Sequence, residues 1–237
     1  MNPTIASITT RGLFGRKRAL ILIPLPLILI GIALLARLAG ADPSDWGEAV
    51  IVGLGFSATI PIIALIVGTG VLGSEIDDGT VTHILAKPLP RSEIIFTKLA
   101  VATGITATVS GVPMFVVGLI AGSAPLAFGL FVASVVAALA YSALFLALSL
   151  LTRRPVLVGL VYVVLWEGVL GNVLNGTRQL SIAQYAVTIA DWLAPTDLIA
   201  GQVSVPVSLV MAAVFAVGMT VLAVDRLRSF SVAGETG

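Results

Sequence analysis

The sequence predicts an all-α integral membrane protein, six transmembrane helices in one layer. Three observations carry that prediction. Of 237 residues, 58% are hydrophobic and only 11% are charged, whereas a soluble domain carries about 25% charged residues. The apolar residues fall into six runs close to the roughly 20 needed to cross a bilayer. No polar stretch between them is long enough for a water-soluble domain, so residues 1–237 read as a single transmembrane domain. Helices are the expected elements because unpaired backbone N–H and C=O groups find no partners in lipid.

Taken in order, residues 4–15 bring Ile5, Ile8, Leu13 and Phe14 together at helical spacing, with Arg16, Lys17 and Arg18 directly behind. This pattern predicts an N-terminal interfacial helix on the inner leaflet. The first span is expected over 19–36, bent by Pro24 and Pro26. Its length, and the lack of a small-residue cleavage site before a polar domain, predict a retained span rather than a removed leader. The remaining spans are expected over 49–72, 99–121, 126–151, 155–174 and 205–224, the third and fourth joined by a tight Gly-Ser-Ala-Pro turn at 122–125. Between the fifth and sixth, Ser181 stands three residues before Gln184, a capping-box pattern. Ile182, Tyr185, Ala186, Ile189, Trp192 and Leu193 follow at helical spacing up to Pro195. An outer interfacial helix is predicted there, lying in or dipping into the interface, with Tyr185 and Trp192 as belt aromatics.

Eleven of the thirteen Lys and Arg residues fall on one side of these spans, and only Arg37 and Arg178 on the other. The positive-inside rule then puts both termini in the cytoplasm. Abundant Ala, Val and Gly, with Arg favoured over Lys, point to a high-GC bacterial genome, hence a bacterial cytoplasmic membrane. A net charge of +1 gives no electrostatic case for nucleic acid.

The missing chemistry narrows the function. Cysteine is absent, which removes disulfides, thiol catalysis and cysteine metal sites. No Walker GxxxxGK[ST] loop and no HExxH occur. The only histidine, His83, lies outside the expected spans, so neither an intramembrane zinc protease nor a serine–histidine protease built on Ser57 is supported. Metal and catalytic residues are therefore assigned to none. Inside the spans only Glu167, beside Trp166, is charged. It is a possible substrate or gating residue that can bind a coupling ion or a cationic substrate. It can equally snorkel to the interface or bond a neighbouring helix. A proton path of several carboxylates is lacking, as is the polar cluster an intramembrane enzyme needs.

Charge concentrates instead between the second and third spans, in EIDDGTVTHILAKPLPRSEIIFTK. Asp77 or Asp78 can cap a short helix, with Gly79 permitting the tight entry. Val81, Ile84 and Leu85 then share one apolar face, and Pro88 ends the helix. Arg91 or Ser92 opens the next helix, with Glu93 in its first turn, where the helix dipole favours an acid. A short, braced, amphipathic cytoplasmic helix is suited to a groove on a soluble partner. Glu75, Asp77, Asp78, Lys87 and Arg91 would set its register. The alternative is a charged loop resting on lipid headgroups.

This loop resembles the signature between spans two and three of ABC-2-type transporter permeases. The matching residues are Glu75, Gly79-Thr80, the apolar stretch from Val81 to Leu85, Pro88, Arg91 and Lys98. Thr97 stands where the family often has glycine. The basic entry to span one and the helix before span six also resemble the family. The resemblance implies the membrane-spanning subunit of an ATP-binding cassette transporter, not an enzyme itself, with no cofactor on this chain. ATP and Mg would be bound by separate ATPase subunits, two copies docking on a coupling helix formed from Glu75, Asp78, Gly79, Thr80, Val81, Ile84, Leu85, Pro88, Arg91 and Lys98. It further implies a second permease copy, as homodimer or heterodimer, and export of hydrophobic or amphipathic cargo. Small residues on span three, Gly104, Gly111, Gly118 and Gly122, are expected to permit close helix packing. The rival reading is a non-transporting scaffold or sensor subunit that recruits a different cytoplasmic partner.

Overall fold

The computed structural model describes residues 10, 22–77, 90–170 and 178–232, and among these it is helical with no strand. Helix α1 (Pro24–Leu38) begins on its prolines. In a first turn the missing proline N–H is not needed and the fixed φ suits the helix; the chain bends at Ile23, between helical Leu22 and Pro24, and the part of the expected span before Leu22 lies outside the described residues. Gly40, at φ 77°, turns the chain into α2. That helix runs unbroken as an α-helical start (Pro43–Glu48), a π-helical stretch (Ala49–Thr59) and an α-helical remainder (Ile60–Asp77). It starts six residues before the expected span, so Asp45 lies in its first turn, where the dipole favours an acid.

α3 (Arg91–Ile120) begins directly after Pro90, with Glu93 in its first turn as expected. Thirty residues rise about 45 Å, so the polar start extends beyond an apolar layer about 30 Å thick. The turn to α4 (Ala124–Leu151) is as tight as predicted. Gly122 has φ 87°, and the Ser123 hydroxyl accepts from the Leu126 N–H at 3.2 Å. α5 (Pro155–Val161) continues as a second π-helical stretch, Tyr162–Leu170. A 3-10 turn, Arg178–Leu180, precedes α6 (Ile182–Leu193), and α7 (Val205–Val232) closes the described chain.

By length and composition, four helices among the described residues can cross a membrane: Pro43–Leu72, Arg91–Ile120, Ala124–Leu151 and Val205–Ser229. The first and fifth expected spans correspond to shorter apolar helices, Pro24–Leu38 and Pro155–Val169. The expected N-terminal interfacial helix lies outside the described residues except for Thr10.

α4 is the centre of the bundle and packs against α2, α3, α5, α6 and α7. Two cores flank its middle. One, near the α3–α4 turn, joins Leu29, Phe56, Leu130, Tyr185 and Ile189. The other, near the ends of α2 and α3 that flank residues 78–89, joins Val71, Ile94, Ile95, Leu146 and Leu227. The four glycines expected to permit close packing divide. Gly118 and Gly111 meet α4 at short range, Gly104 faces open space, and Gly122 serves the turn.

Candidate functional site

The stems of the charged loop are held together from within. Lys98, one of the expected docking residues, is fully buried. Its ammonium group donates to the Val71 carbonyl at 2.7 Å, which ties the third turn of α3 to the last turns of α2. A cation there also complements the negative end of α2. Lys98 therefore reaches back into the bundle, not outward. Arg91 is the first residue of α3 and is half-buried. Glu75 lies in the last turns of α2, and its side chain is outside what is described. Asp78, Gly79, Thr80, Val81, Ile84, Leu85 and Pro88 lie outside the described residues, so the expected coupling helix itself is not seen.

The second site is built around Glu167, which is 1% exposed. Its carboxylate accepts from the Tyr162 hydroxyl at 2.9 Å, from the Ser181 hydroxyl, and from the Ile182 N–H at 3.1 Å. Glu167 thus bonds a neighbouring helix, one of the uses open to it. Ser181 in turn accepts from the Gln184 N–H at 3.2 Å, the N-cap bond the sequence predicts. No hydrogen bond of ordinary geometry reaches the Tyr141 hydroxyl, although it lies beside Glu167 and the Ala183 backbone. A polar cluster inside the bundle thus exists, contrary to the sequence reading.

Two partners were missed for a physical reason. Tyr162 precedes Glu167 by five residues, which an α-helix places about 140° apart. Both lie in a π-helical stretch, where i→i+5 pairing brings them to one face. Tyr141 is on another helix, and no local signal links it to Glu167.

The third element of this site is α6. Ten consecutive residues, 181–190, are buried on every side, so this part of the helix is enclosed by protein. Tyr185 is buried against Phe215, its hydroxyl donating to the Gln179 carbonyl, so it is no belt aromatic. Trp192 is 58% exposed. The depth of α6 follows from its neighbours. Its C-terminal end meets Gly129 of α4 through Ala190 and Ala194, while Ala183 at its start lies by Tyr141. Those two α4 positions are twelve residues, about 18 Å, apart, matching the length of α6. The helix therefore runs antiparallel along the first half of α4, its N-terminus deep in the bundle.

A layer of apolar helices with no strand among the described residues, four of them long enough to cross a bilayer, defines a polytopic helical membrane protein. The family model for the ABC-2 family transporter protein matches residues 16–175, about two thirds of the chain, and the chain belongs to that family. Comparison with curated proteins gives no match. The resemblance read from the charged loop is thus confirmed, and the chain is a transporter membrane component, not a catalyst itself.

Proposed function

We propose that the chain is the permease subunit of an ATP-driven transporter, energised by a separate ATPase that docks on the 75–98 loop. The observation that carries this reading is the ABC-2 family match, which spans that loop. The absence of a nucleotide-binding loop in the sequence supports placing ATP and Mg on a partner. In this reading α1 and α5 complete a six-span layout in a bacterial cytoplasmic membrane, and residues 1–237 form one domain. Both termini and the 78–89 segment face the cytoplasm, as the distribution of Lys and Arg supports. A second permease copy, identical or related, completes the pore above two ATPase copies, and hydrophobic or amphipathic cargo is exported. ATP-driven closure favours one of two permease conformations by binding it more tightly. The Lys98 clasp supports the role of the loop, because a load on the loop is passed to α2 and α3 together.

The test is to place an aspartate on the apolar face of the loop, Ile84→Asp or Leu85→Asp. Each variant should insert normally and lose transport per ATP hydrolysed. Unchanged transport in vesicles containing both subunits would refute the docking role.

A further inference from the structure

We propose that Glu167 is the positioning residue for α6: it anchors the deep N-terminus of that helix to the π-helical stretch of α5, so that the two move as one unit. The coupling to transport rests on the permease reading, but the anchor is a property of this chain alone. A helix leaves its first four N–H groups without internal partners, and α6 starts at buried positions, Ser181 and Ile182 each being 1% exposed. Ile182 carries the first of those groups and donates it to Glu167. The negative carboxylate also lies at the positive end of the helix dipole. Ser181 joins both systems, since one hydroxyl donates to Glu167 and accepts from Gln184. Cap and anchor are therefore one chain of hydrogen bonds.

The geometry argues against the other uses open to a buried glutamate. A cation would have to displace the Tyr162, Ser181 and Ile182 donors that already converge on the carboxylate. Among the described residues, no group of three His, Cys, Asp or Glu could hold a metal ion. The far end of α6 is secured separately. The Gly201 N–H donates to Asp191 at 2.8 Å, and Gly201 lies so close that an added Cβ would be 3.0 Å from the Thr188 Cα. Releasing Glu167 should therefore free only the deep end of α6. The carboxylate sits on a π-helical stretch that packs against the π-helical stretch of α2. Any shift of that paired region is carried to α6 through Tyr162, Glu167 and Ser181.

The chain contains no cysteine, so a single introduced one reports cleanly. Ala183, 1% exposed, is replaced in an Ala183→Cys background, and its reaction with a membrane-impermeant maleimide is measured on the purified permease in lipid vesicles. In this background labelling should be slow, and Glu167→Ala should raise it at least tenfold. Glu167→Gln, of the same shape but uncharged, should fall between, and Glu167→Asp should return labelling toward the parent rate. With the ATPase present, Glu167→Gln should keep ATP hydrolysis and lose most transport per ATP. Labelling in a folded Glu167→Ala protein equal to the parent overturns the anchor. If that variant does not fold, Glu167→Gln matching the parent in both labelling and coupling overturns it. Failure of the permease reading shows separately, as parent protein that never transports in an ATP-dependent way.

Discussion

Replacing Gly118 with alanine tests how α3 and α4 are joined. A Cβ at Gly118 would lie 2.4 Å from the Ala127 Cα and 2.7 Å from the Ala127 backbone nitrogen. Ordinary contact begins at 3.4 Å, so the helices must part by about 1 Å at this crossing. No side chain can rotate away to relieve the clash, because the obstructing atoms are backbone. A gap of 0.5–1 Å forfeits about a quarter to a half of the dispersion energy of each contact it opens. Overpacking of this kind costs about 1–3 kcal/mol, and Gly118→Ala belongs at the upper end because the short tether through Gly122 and Ser123 prevents the hairpin from sliding. Gly104, on the same helix, meets nothing within 4 Å. Gly104→Ala should be neutral or gain up to about 1 kcal/mol from helix propensity. Thermal unfolding of both proteins in one detergent gives the comparison. Equal stability, or a Gly118→Ala protein as stable as the parent, would show that the helices do not meet there and would refute the packing described.

Two further comparisons follow from buried polar groups. Tyr162→Phe removes a donor from a buried carboxylate and should cost about 1.5–3 kcal/mol; Tyr141→Phe removes a buried hydroxyl that makes no hydrogen bond of ordinary geometry and should cost less. The same unfolding assay separates them, and a larger loss in Tyr141→Phe would reassign the partners of Glu167. Lys98→Met keeps the stem but removes the bond to Val71, for a loss of about 1.5–3 kcal/mol. Lys98→Ala also opens a cavity and should lose roughly 2 kcal/mol more. An alanine variant no worse than the methionine one would mean that the stem of Lys98 fills no core space.

Much of the fold is legible in the chain because it depends on partition into lipid and on neighbours close in sequence. Long apolar runs became helices, Gly122 and Ser123 made the turn, Ser181 capped α6, and the charged loop pointed to the ABC-2 family. The start of α2 was misplaced at Pro43, where a polar first turn precedes the apolar run, since hydropathy marks the apolar layer and not the whole helix; the start of α3 at Arg91 was legible from its own first-turn chemistry. The candidate sites were half legible: Glu167 stood out as the only charged residue within an expected span, but its partners did not. Only the tertiary structure decided that Lys98 points inward, that Gly118 and not Gly104 makes the close crossing, and that residues 181–190 at the start of α6 are enclosed. The pairing of Tyr162 with Glu167 needed a π-helical turn that an α-helical period conceals. A buried polar group is satisfied by whichever helix folds against it, and that choice depends on the packing of distant segments rather than on local sequence.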